Sequence, residues 1–354
     1  MRKEPQKIRF NQSRFGRPLG RIAKLHVLFF VLKLIQVQIS QLLMIGIGAD
    51  NDLSAVRALQ PGGVVLMGRN AGKPDEVRRL TRQISEACPS PLIATDQEGG
   101  RVQRLTDGFT PIPRMKKLAA QGARQVGITA AMVAAELRDV GVNFNFAPVC
   151  DLPVHPEDTV IGDRAFSSNP IVASLLAAEY IRGAQPTVLC CAKHFPGHGG
   201  VGIDSHQALP TFEGTRDELS SHLQPFRSAI AAGVAAVMVG HIAVPSLDVS
   251  GTAATLSQPI TMGLLREELN FRGLVVTDDL DMKALPQDRP GDVGVHALNA
   301  GCDLLLWCHS PDAARAAIEA IQRALDDGTL SQSRVQDAIE RVRWAKTKVG
   351  ILKD

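Results

Sequence analysis

No CxxC pair occurs among the six cysteines of this 354-residue chain, so the spacing of a zinc knuckle is missing. Cys150, Cys190, Cys191, Cys302 and Cys308 lie in apolar runs and Cys88 precedes Pro89. That distribution reads as buried free thiols in a reducing cytoplasm, not as a disulfide scaffold. The 31 glycines follow no three-residue period, which excludes a collagen-like rod. The abundance of Val, Leu, Ile and Ala excludes a disordered chain. Only 15 residues are aromatic, but 45% of the chain is hydrophobic against 21% charged, enough apolar material for a sizeable core. There is no P-loop, no G-x-S-x-G nucleophile elbow and no complete dinucleotide fingerprint, since Gly46-Ile47-Gly48 lacks its third glycine.

What charge there is, is unevenly placed. Residues 1–24 hold eight basic residues against Glu4, so this arm carries +7 and the remaining chain −4 of the overall +3. A mildly acidic body gives no support for nucleic-acid binding, which needs its positive charge on a face of the fold. Residues 25–35 are apolar apart from His26 and Lys33. This run is shorter than the ~20 residues of a bilayer span and has no small-x-small cleavage site. The expectation is a basic, disordered extension over residues 1–33, no stable membrane insertion, and a cytoplasmic protein.

Short apolar runs ending in polar or glycine residues recur eight times, at residues 42–46, 64–67, 92–95, 144–149, 188–192, 235–239, 274–277 and 303–307. Helix-like stretches separate them, at 75–87, 123–140, 171–184, 216–232, 259–269 and 293–300, and two more follow at 311–325 and 331–349. Helix starts are marked at Lys73-Pro74-Asp75, at Thr215 with Glu218 three residues on, and at Ser331. Eight buried strands alternating with helices predict an α/β fold, a single (β/α)8 TIM-type barrel over residues 34–354. An open, doubly wound sheet is the alternative. No repeat or low-complexity linker divides the chain.

In a barrel the active site forms at the C-terminal strand ends, and polar residues crowd there. Asp96 to Arg104 follow the third run; Asp151 and then Gly162-Asp163-Arg164-Ala165-Phe166 follow the fourth. Lys193-His194-Phe195-Pro196-Gly197-His198-Gly199 and Asp204-Ser205-His206 follow the fifth, His241 the sixth, and Asp278-Asp279 the seventh. Any one of these has a bland reading as a cap or a solvated loop charge. Five clusters at one end of a barrel are harder to explain that way, because unpaired buried charges cost several kcal/mol each. His194, His198, His206 and Asp204 also allow a metal site. Pro196 and Gly197, however, break the helical i, i+4 presentation that zinc hydrolases use. A carboxylate-rich pocket with basic and imidazole groups and no cofactor motif suits glycoside cleavage, where sugar hydroxyls need charged partners and an oxocarbenium-like transition state needs a carboxylate.

The segments DQEGGRVQR at 96–104, NFNFAPVCD at 143–151, GDRAF at 162–166, KHFPGHG at 193–199 with DSH at 204–206, and VVTDDLDM at 275–282 resemble the single-domain β-N-acetylglucosaminidases of glycoside hydrolase family 3. The resemblance runs from about Ile39 to the C-terminus. It implies a cofactor-independent retaining β-N-acetylhexosaminidase that removes non-reducing terminal N-acetylglucosamine from small saccharides or peptidoglycan fragments (muropeptides) in cell-wall recycling. It also implies Asp278 as nucleophile and His206, oriented by Asp204, as general acid/base. Asp96, Arg104, Arg164, Lys193 and His194 would bind the sugar. Histidine, with an unperturbed pKa near ~6.5, can serve both as acid and as base. Glycines 197, 199, 200 and 202 would let the loop carrying it move. Asp279, His198 and His241 are expected only to support the loop or shape the pocket floor. No C-terminal β-sandwich of the two-domain β-glucosidases is expected, and the chain is expected to be monomeric. A β-glucosidase or phosphorolytic β-glycosidase, a non-catalytic sugar-binding protein and a metal hydrolase are the rival readings.

Overall fold

The computed structural model describes residues 38–153, 160–199, 201, 205, 208–287 and 289–353. The basic arm with residues 25–35, and both members of the expected acid/base pair, Asp204 and His206, lie outside the described residues. Eight strands form one parallel sheet: β1 Leu43–Gly46, β2 Gly63–Leu66, β3 Leu92–Thr95, β4 Phe144–Asn145, β5 Leu189–Phe195, β6 Ala236–Val239, β7 Leu274–Thr277 and β8 Leu305–Trp307. Their order is β8-β1-β2-β3-β4-β5-β6-β7. A parallel bridge from Val276 to Leu304 and a hydrogen bond from the Thr277 N–H to Leu304 O (3.0 Å) join the two edges. The result is the (β/α)8 barrel that the run spacing predicts. Every residue of the eight strands is buried, as a barrel filled inside and covered by helices outside requires.

Among the described residues ten helices accompany the sheet: α1 Ser54–Leu59, α2 Pro74–Ala87, α3 Met115–Ala119, α4 Ala123–Asp139, α5 Pro170–Ala184, α6 Arg216–Ala231, α7 Pro259–Glu268, α8 Pro290–Ala300, α9 Pro311–Asp326 and α10 Gln332–Lys348. The expected caps form at two of the three marked starts. Thr215 Oγ1 accepts from the Glu218 N–H (3.2 Å) while Glu218 accepts from the Thr215 N–H (2.7 Å). Ser331 Oγ accepts from the Arg334 N–H (3.1 Å). Lys73 has no acceptor to offer; there Glu76 supplies the carboxylate for the Lys73 N–H (2.9 Å). α1 and α3 are too short to show a periodicity, and α7 is wound as a π-helix.

Two strands differ from the expected runs, and both differences shape the cavity. The fourth stops at Asn145, because Pro148 has no N–H for the ladder. The chain beyond it stays alongside β5 through the bonds Cys191 N–H to Ala147 O (2.9 Å) and Cys150 N–H to Lys193 O (2.6 Å). The fifth is longer than expected: Lys193 and His194 belong to β5 itself, not to the loop after it. A small hairpin, Gln97–Gly99 against Val102–Gln103, follows β3. All six cysteines are free and buried. Among the described residues no helix is long and apolar enough to cross a membrane.

The opposite end of the barrel is tied by Asp303, fully buried just before β8. Its carboxylate accepts from Arg266 of α7, from Arg334 (2.5 Å) and Arg341 (3.1 Å) of α10, and from the Val275 N–H (2.9 Å). Arg266 is 3% exposed, and burial lowers its pKa against the pull of Asp303. Asp303→Ala strands two buried guanidinium groups and should cost about 3–5 kcal/mol. Arg341→Ala, which removes a side chain a quarter exposed, should cost about 1 kcal/mol or less. Urea unfolding of the two variants checks this ranking, and equal losses would contradict it.

Candidate active site

The exits of β3, β5 and β7 surround a cavity of about 260 Å3 lined by Asp96, Arg104, Arg164, Lys193, His194 and Asp278. All six described residues that the sequence nominates therefore share one site. Ser205 lines the same cavity, although Asp204 and His206 on either side of it are outside the described residues.

Lys193 is the centre of the polar wall. It projects from β5 with its side chain 2% exposed and its ammonium 2.6 Å from both Asp96 Oδ1 and Glu98 Oε1. Arg164 grips Glu98 through two 2.8 Å hydrogen bonds, the planar fork that favours bidentate pairing. Arg104 reaches Asp96 Oδ2 at 3.4 Å. Two carboxylates and three cations thus alternate along one chain. Burial alone would neutralise both Glu98 and Lys193. Lys193 and Arg164 outweigh it for Glu98, whose pKa falls well below the usual carboxylate range; Asp96 and Glu98 outweigh it for Lys193, whose pKa rises. Glu98 belongs to this wall, although the sequence alone gives it no role. The available signal was charge balance, since three cations had been assigned to the pocket wall with Asp96 as their sole carboxylate.

His194 is set by Asp151, which was visible as a strand-end carboxylate but had no assigned role. Nδ1 of His194 lies 2.7 Å from Asp151 Oδ2, and the His194 backbone N–H donates to the same carboxylate at 3.1 Å. Asp151 is 1% exposed and remains ionised: burial raises its pKa, but the imidazoles of His194 and His198 and their N–H groups lower it further. With Nδ1 committed as donor, Nε2 is the ring atom of His194 left for a ligand.

Asp278 follows β7 directly. Burial pushes its pKa up, but His194, His241, the Asp279 N–H (2.8 Å to Oδ1) and Lys193 pull it down to about 2. The group is an anion throughout the neutral range with one described hydrogen bond, a carboxylate free to meet an electrophile. Asp279 beside it is pushed up to about 6 by burial. Its Oδ1 accepts from the Cys308 N–H (3.0 Å) and the Asp281 N–H (3.1 Å), so it braces the exit of β8, the supporting role expected of it. His241, also expected to support, is fully buried, with Nε2 2.9 Å from Asp279 O and Nδ1 2.8 Å from Thr255 Oγ1.

The chain's kinship agrees with this geometry. Residues 34–345 match the sequence model of the glycosyl hydrolase family 3 N-terminal domain. A protein named beta-hexosaminidase from Thioalkalivibrio sulfidiphilus is 37% identical over 296 residues, which span 80% of this chain and 84% of that one. A family 3 beta-N-acetylglucosaminidase from a Paenibacillus species superposes with a TM-score of 0.86 at 36% identity, over 89% of this chain and 62% of that longer one. A beta-N-acetylhexosaminidase from Beutenbergia cavernae superposes with a TM-score of 0.81 at 31% identity, over 88% and 98% of the two chains. With the family model spanning residues 34–345 and a relative 37% identical over 80% of this chain, the chain belongs to glycosyl hydrolase family 3.

Proposed function

We propose that this chain is a retaining β-N-acetylhexosaminidase that releases non-reducing terminal N-acetylglucosamine, with peptidoglycan fragments (muropeptides) in cytoplasmic cell-wall recycling as its substrates. The observation that carries the reading is Asp278, an aspartate held ionised at a strand end and lining the same cavity as the Asp96–Lys193–Glu98–Arg164 chain. That wall offers both donors and acceptors to sugar hydroxyls, while Asp278 offers a nucleophile to the anomeric carbon. A cavity of about 260 Å3 is at the small end of ligand pockets and suits a single sugar ring. The names of the relatives point to the same sugar.

The reaction runs by double displacement. Asp278 Oδ attacks the anomeric carbon as the glycosidic bond breaks, and the leaving oxygen takes a proton from His206, whose imidazole is oriented by Asp204. Water then loses a proton to His206 and attacks the same carbon, and Asp278 departs as carboxylate. Two inversions give net retention. Asp96, Arg104, Arg164, Lys193 and His194 hold the ring, and Glu98 keeps Lys193 and Arg164 in place. No cofactor is required by this chemistry.

Asp278→Ala should lower kcat by about 10^4-fold, as loss of a covalent nucleophile does, while still binding N-acetylglucosamine. A fluorinated slow substrate should label Asp278, with the adduct located by peptide mass spectrometry; a label elsewhere refutes the assignment. The same assay run with aryl N-acetylglucosaminides against aryl glucosides, with and without phosphate, separates the hexosaminidase from a glucosidase or a phosphorylase.

His206→Ala should slow phenyl N-acetylglucosaminide at least ~100-fold and the dinitrophenyl compound only a few-fold in kcat/KM, because an activated phenolate leaves without a proton. The sign of the pH dependence follows. Glycosylation needs the protonated imidazole, so wild-type kcat/KM for the phenyl substrate falls as pH rises through its pKa, and this alkaline limb should vanish in the variant. Asp278, with its pKa at about 2, contributes no acid limb above ~pH 4.

Glu98→Gln removes one of two carboxylates from a wall of three cations. It should raise KM about tenfold or more with a smaller effect on kcat, since Glu98 serves sugar binding and not bond cleavage. A change confined to kcat would contradict this placement.

A further inference from the structure

We propose that His309 is a specificity-determining residue that donates through Nε2 to the acetamido oxygen of the bound sugar. The inference deepens the hexosaminidase reading above and rests on it. The charged wall of the cavity comes from the exits of β3 and β5 and the loop after β4. Between Asp279 and that wall, on the side of β8 and β2, the lining is Met282, Leu306, Cys308, Val65 and Met67, and His309 is the one side chain with an N–H among the described residues of this arc. An N-acetyl group asks for that combination, apolar neighbours for its methyl and a donor for its carbonyl. Pyranose geometry points the same way. With C1 at Asp278 and the far hydroxyls on the charged wall, C2 is one of the two ring atoms flanking C1, and its substituent lies to one side of Asp278. On the β6 side the described lining is Met238, which offers no donor; on the β8 side it is the arc with His309.

His309 is held for this task at two points. Its backbone N–H donates to Asp281 Oδ2 at 2.7 Å, and the Ser310 N–H joins the same oxygen at 3.1 Å. Its Nδ1 lies 3.1 Å from Arg69 Nη1. A guanidinium has only donors, so Nδ1 accepts and the ring proton sits on Nε2. Arg69 is itself fastened across the exits of β1 and β8, donating from Nε to Ile47 O at 2.7 Å and from Nη2 to Cys308 O. The crossing needs Gly46, where a Cβ would stand 2.0 Å from Cys308 O and 2.9 Å from Arg69 Nη2. The turn that carries Arg69 is closed by Asn70, whose Oδ1 accepts from the Met67 N–H at 3.1 Å and whose Nδ2 donates to Gly48 O at 2.8 Å. Met67 of the apolar arc and Arg69 are thereby set together. Nε2 of His309 stands 3.8 Å from Asp279 Oδ2, too far for a hydrogen bond, so its N–H is available to a ligand. Arg69 would tie β1 to β8 without His309. The imidazole adds to that tie only a defined donor at the cavity, on a side chain 57% exposed.

The test uses the full chain as wild type, His309→Ala, His309→Leu, His309→Gln and Arg69→Ala. The substrates are nitrophenyl N-acetylglucosaminide, its N-trifluoroacetyl analogue, whose carbonyl is a poorer acceptor, nitrophenyl glucoside and N,N′-diacetylchitobiose. His309→Ala and His309→Leu should shrink the kcat/KM preference for acetamide over glucoside about tenfold, and should erase the preference for acetamide over trifluoroacetamide. His309→Gln, whose amide can donate, should recover part of the loss, and Arg69→Ala, which frees Nδ1, should shrink the preference less than His309→Ala. Equal slowing of acetamide, trifluoroacetamide and glucoside in His309→Ala, or an unchanged preference in both His309→Ala and His309→Leu, overturns the inference alone. A loss seen on the disaccharide but not on the nitrophenyl acetamide moves His309 to the leaving group and likewise overturns it. A wild type with no preference for the acetamide over the glucoside overturns the hexosaminidase reading, and the inference with it.

Discussion

The ammonium of Lys193, at the end of a side chain 2% exposed and shared at 2.6 Å by Asp96 and Glu98, is the constraint around which the C-terminal end of the barrel is arranged. A buried cation with one carboxylate removed is costly, and so is a buried carboxylate pair without its cation. The exits of β3 and β5 are therefore held to each other across β4, and the loop after β4 must bring Arg164 to the far side of Glu98 to complete the balance. Parallel strand order makes this possible, because it sends every strand's C-terminal end to the same face. With Lys193 on the strand itself, its ammonium starts from a rigid element, and the polar wall of the cavity is held in place by it.

Adjacent carboxylates at 278 and 279 show how environment divides labour between identical side chains. Asp279 accepts two backbone N–H groups from the β8 exit and its own turn, yet burial still pushes it up to about 6. Asp278 accepts one N–H but faces His194, His241 and Lys193, and is drawn down to about 2. The brace is occupied by the backbone; the anion beside it has lone pairs to spare. The groups that draw Asp278 down come from β5 and from His241 just beyond β6, so the charge state of Asp278 depends on the same packing that closes the barrel.

Much of this was legible in the sequence. The eight apolar runs specified the barrel, and the polar residues ending them gave Asp96, Arg104, Arg164, Lys193, His194 and Asp278. Interactions between distant positions were not legible. Lys193 and its partners are 97 and 95 residues apart, so nothing local marked Glu98 as anything but a loop charge. The extension of β5 through His194 was hidden because charged residues normally end a buried strand; here their partners are supplied by other strands. Asp303 likewise reads as an ordinary strand-start residue until α7 and α10 bring three arginines to it.

Asp151 shows how one buried charge organises the chain around the cavity. Removing a carboxylate from water costs several kcal/mol, and this one is offset by donors drawn almost entirely from the KHFPGH segment: the backbone N–H of His194, its Nδ1, and the backbone N–H of His198. A carboxylate needed only for stability would have served as well against a lysine or arginine. These donors fix the ring of His194 against the cavity and hold the backbone of His198 on the same carboxylate, so one buried charge sets the chain on both sides of the turn at Gly197.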